Sequence, residues 1–349
     1  MKMGIIGYGN MGHWHSETIK KINNLEIKGI WDTNPIAREI ARSEGVFVYN
    51  SQEEMLLDED ISLVLVATSN ESHADIAILA MKAGKNVVCE KPVTISSKLL
   101  EDMISVSNET GKFFTVHQNR RWDPDFCTLK KVLQEGKLGD VFRIESRVHG
   151  SRGISNTWRR IKEKGGGIVF DWGPHLLDQI LNLKAGVKVK SVYATFTNIT
   201  LANVEDGFTA VLTFQDNTQA VIEAATSNFI QMPRWYVLGT NGTALIEDWK
   251  LSGKIICAES EEEDEVCPVI TNSAYTKTMA PRRDDTIKEF ELPKEEGDIC
   301  EFYQNVIQVI EGKAKPIISN DEMRNVLKLI ESIFESAYEN KTVYNPLEN

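Results

Sequence analysis

The sequence predicts an α/β protein of two domains, a doubly wound parallel sheet followed by an α+β domain with a large, mostly antiparallel open sheet. Its 349 residues exceed twice the ~150 residues of an average domain. The first 120 residues alternate short β-rich runs with stretches long enough for helices. Later strands instead alternate their side chains with period two and are joined by turns, the pattern of a meandering, mostly antiparallel sheet. The expected boundaries are 1–120 for the first domain and 121–349 for the second.

In order, the β-rich runs are Met3–Gly7, Ile27–Trp31, Ile61–Ala67, Asn86–Cys89 and Phe113–His117. Helices are expected over Met11–Ile22, Pro35–Gly45, Ser72–Ala83 and Ser97–Thr110. Ile61–Ala67 is almost wholly apolar, as a strand covered on both faces must be. Ile76, Leu79, Ala80 and Ala83 recur at helical spacing, and Gly84 supplies the stop. Strands joined by such helices build a parallel sheet.

Beyond residue 140, Phe208, Ala210, Leu212 and Phe214 alternate with Thr209, Val211 and Thr213. Gln215–Thr218 reads as a turn into a strand over Gln219–Thr226, and Val192–Thr197, Trp235–Gly239 and Thr243–Trp249 have the same character. Both faces carry apolar residues, so one is expected against helices and the other against a second subunit. Phe302, Val306 and Ile310, then Met323, Val326, Leu327, Ile330, Phe334 and Ala337, mark two closing helices. The acidic run Glu259–Glu265 reads as a solvated hairpin tip, and Tyr275–Arg283 as a long excursion from the sheet.

Composition narrows the function. Fifty-one acidic residues against 39 basic ones leave a charge of −12, which disfavours a coat for nucleic acid or an anionic membrane surface. No apolar stretch approaches the ~18 residues of a membrane span, and no secretory signal is visible. The five cysteines are odd in number and form no C-x-x-C pair, consistent with reduced thiols in a cytoplasmic protein.

Gly7-Tyr8-Gly9-Asn10-Met11-Gly12 is a G-x-G-x-x-G that follows a strand and opens a helix, the context a Rossmann dinucleotide site needs. Gly7 permits the tight turn, Gly9 lets backbone approach a pyrophosphate, and Gly12 lets helix pack on strand. The helix N-terminus offers N–H groups to phosphate. Asp32, at the end of the next strand, is placed to accept ribose hydroxyls and to repel a 2′-phosphate, which favours NAD over NADP. Arg38 is the one nearby group that opposes this preference. His13 and His15 are two apart and face away from each other on a helix, so no metal is expected there.

Glu90-Lys91-Pro92 follows the fourth strand, where ligands of doubly wound sheets bind. Gly165-Gly166-Gly167 precedes Asp171-Trp172-Gly173-Pro174-His175-Leu176-Leu177-Asp178. Pro174 suits a first helical position, and Asp171 and His175, four apart, converge on one pocket. A lysine, a carboxylate and a histidine suit alcohol oxidation, in which a hydroxyl proton leaves as hydride departs from carbon.

Together these motifs resemble the Gfo/Idh/MocA oxidoreductases, named for glucose-fructose oxidoreductase and inositol dehydrogenase. The resemblance spans essentially the whole chain and includes Thr68-Ser69-Asn70 with His73. It implies Lys91 as the lysine bonding the reacting hydroxyl, His175 as proton acceptor, and Asp171 as the residue orienting substrate. It implies that Thr68, Asn70, His73, Glu90 and Lys91 join Gly7, Gly9, Asn10, Met11, Gly12 and Asp32 around NAD. Two further segments resemble substrate loops: His117–Trp122, with Asn119 and Arg120, and Trp158-Arg159-Arg160. The implied activity is NAD-dependent oxidation of a secondary hydroxyl of a sugar, a glycoside at C3, or an inositol, by a homodimer or homotetramer. A redox-neutral NAD-dependent glycosidase and a non-catalytic sugar sensor are the alternatives.

Overall fold

The computed structural model describes residues 1–200, 203–259, 266 and 268–348. Residues 260–265 of the acidic run, and Cys267, lie outside them. The four described cysteines, Cys89, Cys127, Cys257 and Cys300, are free thiols.

The first domain runs β1 (Lys2–Ile6), α1 (Asn10–Ile19), β2 (Glu26–Trp31), α2 (Pro35–Ser43), α3 (Gln52–Leu57), β3 (Leu63–Val66), α4 (His73–Lys82), β4 (Asn86–Cys89), α5 (Ser97–Thr110) and β5 (Phe114–Val116). The order is β2-β1-β3-β4-β5, with every pairing parallel. Leu63, Val64, Leu65 and Val66 are all buried, because helices cover both faces. The chain reverses its direction of travel across the sheet between β1 and β3, which opens a crevice beyond their carboxyl ends. α3 escaped the sequence reading: six residues are too few for periodicity to show, and the Ser51 side chain caps it by accepting from the Glu54 amide at 3.1 Å.

The second domain adds α6 (Pro124–Gln134), β6 (Val141–His149), α7 (Ile168–Leu183), β7 (Val189–Thr197), β8 (Gly207–Phe214), β9 (Gln219–Ala225), β10 (Trp235–Gly239), β11 (Gly242–Ile246), β12 (Gly253–Ala258), β13 (Val269–Ile270), β14 (Tyr275–Thr276), β15 (Ile287–Phe290), α8 (Cys300–Ile310), α9 (Asn320–Glu339) and β16 (Val343–Tyr344). Nine strands form one sheet, β15-β12-β11-β10-β6-β9-β8-β7-β16, antiparallel except where β6 meets β9. α7 and α9 pack on one face. Tyr193 and Phe142 are exposed. β13 and β14 pair as a separate two-stranded ribbon, so the excursion near Tyr275 starts with a small hairpin. None of the described helices is long and apolar enough to cross a membrane.

One boundary corrects the sequence reading. Pro174 lies inside α7, not at its first position, because the helix already starts at Ile168. Glu205 causes this from outside the local sequence. Its carboxylate accepts the Val169 amide at 2.9 Å and its carbonyl accepts that of Ile168 at 3.2 Å, satisfying amides that a helix start leaves orphaned.

Candidate active site

The three motif glycines are required for three different reasons. Gly7 has φ +93°, and a Cβ on it would stand 2.5 Å from the Ala67 carbonyl oxygen. A Cβ on Gly12 would stand 2.1 Å from the Gly7 carbonyl oxygen, so α1 touches the turn through bare backbone. A Cβ on Gly9 would meet nothing within 4 Å. That open space lies at the start of α1, whose first turn holds no acidic residue and which no described side chain caps. Free amides, partial positive charge and an open approach fit a dinucleotide's pyrophosphate.

A cleft of about 640 Å³ extends from this point. Gly7, Gly9, Asn10, Met11 and Asp32 line one part of it, and Thr68, Asn70, Glu90 and Lys91 another. Asp32 is pinned at the rim: Oδ2 accepts from the Tyr8 amide at 2.6 Å and Oδ1 from the Asn34 amide at 2.7 Å. Each oxygen keeps a further lone pair for a ribose hydroxyl. Arg38 turns to the backbone, donating to the carbonyls of Asp32 at 2.5 Å and Thr33 at 3.2 Å. His73 does not line the cleft. Buried, its ring bonds the Pro92 carbonyl at 2.9 Å and the Thr68 carbonyl at 3.2 Å, bracing two segments that do. Asn70 Nδ2 donates to the Gly165 carbonyl at 2.8 Å, tying the first domain to the triple glycine.

At the inner end, Lys91 Nζ donates to the Asp171 carbonyl at 2.6 Å and to Asp171 Oδ1 at 3.3 Å. Arg159 Nε stands 3.5 Å from Asp171 Oδ2. Burial opposes ionisation of Asp171, but Lys91 and Arg159 outweigh it and hold the carboxyl below its usual range. His175 follows one turn along α7 and is buried. Burial first, then the positive charges of Lys91 and Arg120, hold its imidazole well below the usual histidine range. It is therefore neutral near pH 7, with a lone pair free to take a proton.

Both loop segments reach this region, but not every residue in them does. Trp158 and Arg159 line the cleft, whereas the Arg160 guanidinium is spent on the Ile154 carbonyl. Arg120 pairs with Asp123 at 2.6 Å and stacks 4.4 Å from the Trp172 ring. Neighbouring Arg121 is structural, a buried fork on Asp178 at 2.6 and 2.8 Å. Trp122 donates to Glu301. Two buried polar atoms here, Arg120 Nε and His175 Nδ1, have no partner among the described residues, and neither has Asn119 Oδ1 in the neighbouring turn. Buried polar groups are normally paired, so this cluster fits a polar ligand.

Sequence reasoning missed the wall beside His175. Trp172 lies edge-on to it at 5.7 Å, Trp249 lies 6.3 Å from Trp172, and Arg234 stacks 5.0 Å from Trp249. Trp172 belongs to the Asp171–Asp178 motif, but Trp249 and Arg234 come from other segments that share no motif with it, so no local signal marks the wall they complete. Nor did it anticipate what surrounds Glu90. His15 Nε2 and His117 Nδ1 both bond Glu90 Oε1, at 2.7 and 2.8 Å, and the Tyr303 hydroxyl bonds His15 Nδ1 at 2.5 Å. His13 faces the other way, 3.2 Å from Glu44.

Comparison with known proteins agrees with the fold. Residues 1–118 match the family model described as an oxidoreductase family with an NAD-binding Rossmann fold, and 126–245 match the GFO/IDH/MocA C-terminal domain. The chain is 28% identical to scyllo-inositol 2-dehydrogenase (NADP(+)) of Bacillus subtilis, over 98% of this chain and 95% of that one. It is 29% identical to myo-inositol 2-dehydrogenase of Thermotoga maritima, over 64% and 68%. The crystal structure of an NAD-binding protein from Listeria innocua superposes with a TM-score of 0.95 at 44% identity, covering 98% of this chain and 99% of that one.

Proposed function

Because the chain belongs to the Gfo/Idh/MocA family of NAD-binding oxidoreductases, we propose that it oxidises a secondary hydroxyl of a cyclitol or sugar, using NAD in preference to NADP. The observation that carries this reading is the Lys91–Asp171 pair at the inner end of the cleft, with His175 buried one turn further along α7, under the charge of Lys91, its Nδ1 without a partner among the described residues. When bound there, NAD supplies the hydride acceptor. Lys91 donates to the reacting oxygen and stabilises the negative charge that grows on it. His175 accepts the hydroxyl proton in oxidation and returns it in reduction. Asp171 orients the Lys91 ammonium and accepts from a neighbouring substrate hydroxyl. Asn119, Arg120, Trp158 and Arg159 present donors, acceptors and a flat aromatic surface, a set suited to a polyhydroxylated ring.

Two relatives named as inositol 2-dehydrogenases support inositols as the first substrates to assay. Asp32, with both oxygens aimed by backbone amides at the cleft rim, supports NAD. The test is NADH formation with a panel of inositols, aldoses and glucosides, with NAD or NADP, for the wild type and Lys91→Ala. The expected result is an NAD-linked signal on one polyol that the substitution abolishes. Release of free sugar from a glucoside without net NADH would replace this reading with a redox-neutral glycosidase.

A further inference from the structure

Glu90 is a carboxylate with 4% of its surface exposed, held from three separate parts of the chain. His15 comes from α1, His117 follows β5, and Tyr303, behind His15, comes from α8 at the far end of the sequence. Both histidines are fully buried. With Tyr303 donating to Nδ1 of His15, the His15 proton lies on Nε2 and points at Glu90. His117 donates from Nδ1, and its Nε2 has no partner among the described residues, beside the Phe302 and Trp14 rings. Glu90 Oε2 accepts a third bond, from the Lys91 amide at 3.1 Å. Three donors and no nearby acceptor make Glu90 an anion.

This anion is not remote from the chemistry: Glu90 lines the same cleft as Lys91, Thr68 and Asn70. The oxidised nicotinamide ring is cationic and the reduced ring is neutral. A fixed negative charge in a low-dielectric wall therefore attracts one redox form and is indifferent to the other.

We propose that His15, His117 and Tyr303 are positioning residues that hold Glu90 as a buried anion against the cleft, and that this anion makes the protein bind NAD⁺ more tightly than a neutral wall would, relative to NADH. The inference rests on the NAD reading above. It assigns the network a thermodynamic role, biasing the bound cofactor towards its oxidised form, beyond holding the fold together.

The test is direct titration of the full-length protein with NAD⁺ and with NADH, followed by tryptophan fluorescence or calorimetry, with no substrate present. Glu90→Gln is expected to lower the ratio of NADH to NAD⁺ dissociation constants about tenfold, equivalent to ~1.4 kcal/mol. Equal weakening of both forms would assign Glu90 a purely structural role and overturn the proposal. His117→Phe provides an independent readout that survives if Glu90→Gln does not fold. It removes one donor, so Glu90 takes up a proton at higher pH.

The groups facing Glu90 are His15, His117, His73, His175, Tyr303, Cys89 and Lys91. Between about pH 5.5 and 8 the wild-type Glu90 carboxyl, held well below its usual range, stays ionised, so its share of the ratio is expected to stay level. In His117→Phe the ratio falls at the acid end. A level ratio in the variant too would refute the positioning role. If the wild type binds neither NAD⁺ nor NADH, the cofactor reading itself fails, which is a different result from either.

Discussion

Replacing each of two motif glycines by alanine should separate fold from function. At Gly12 an added Cβ would lie 2.1 Å from the Gly7 carbonyl oxygen and 3.0 Å from its carbonyl carbon. Both are backbone atoms, so no side chain can rotate away, and α1 must move off the sheet by about 1 Å to restore contact distance. Overpacking of this kind costs ~1–3 kcal/mol. Alanine's better helix propensity offsets ~1 kcal/mol of that, so a net loss has to come from the clash. At Gly9, φ is −75° and the Cβ would meet nothing within 4 Å, so alanine is unstrained. Its methyl would occupy the space through which a pyrophosphate reaches the amides. The expected result is a lower Tm for Gly12→Ala, by ~2–4 °C per kcal/mol in a domain of this size. Gly9→Ala keeps the wild-type Tm but binds NAD at least about tenfold more weakly, ~1.4 kcal/mol. The assay is a thermal melt of each variant with and without NAD. A Gly9→Ala protein stabilised by NAD as much as the wild type would refute the placement of the pyrophosphate. A Gly12→Ala protein as stable as the wild type would refute the close packing of α1.

Three further outcomes follow from the buried charges. Burial, then repulsion from His117, lowers His15 to about 4, whereas an unfolded histidine binds its proton near ~6.5. Unfolding therefore takes up a proton between these values, so stability should drop as pH is lowered through that window, by up to ~1.4 kcal/mol per pH unit. His15→Gln should flatten the slope of Tm against pH, and an unchanged slope would remove His15 as its source. Arg121→Met leaves Asp178 buried without its bidentate partner, and urea denaturation should show a loss of ~3–5 kcal/mol; a loss below ~1 kcal/mol would mean that Glu322 and solvent leave the pair worth no more than a surface one. Burial and then the cations Lys91 and Arg120 depress His175, so in Arg120→Gln the acid limb of the oxidation rate should shift to higher pH. A shift to lower pH, or none, would show that His175 is not the titrating base.

Much of the site was legible because its determinants are local. The glycine motif, Asp32 at the end of β2 and Lys91 after β4 each sit at a strand's carboxyl end, and strand–helix alternation fixes where such ends converge. The triple glycine with Asp171 and His175 carries its own signature. Other determinants were invisible. Glu205 caps α7 from 36 residues downstream of Val169, and this is why the helix starts ahead of Pro174. His73 belongs to the right motif yet points into the wall, since two carbonyls claim its ring. Arg120 and Arg121 look alike in sequence, but one stacks on Trp172 and the other vanishes into an ion pair with Asp178.

The sequence alone determined the layered architecture, the dinucleotide crevice and the lysine–aspartate–histidine set, because periodicity and short-range motifs encode them within a few residues. Only the tertiary structure decided which charges are paired and which are left open. Whether a buried polar atom is satisfied depends on partners tens to hundreds of residues away. Tyr303 reaches His15 across 288 positions of sequence, and long-range closure of that kind brings Glu90 its ring of donors while leaving a nitrogen of His175 without one.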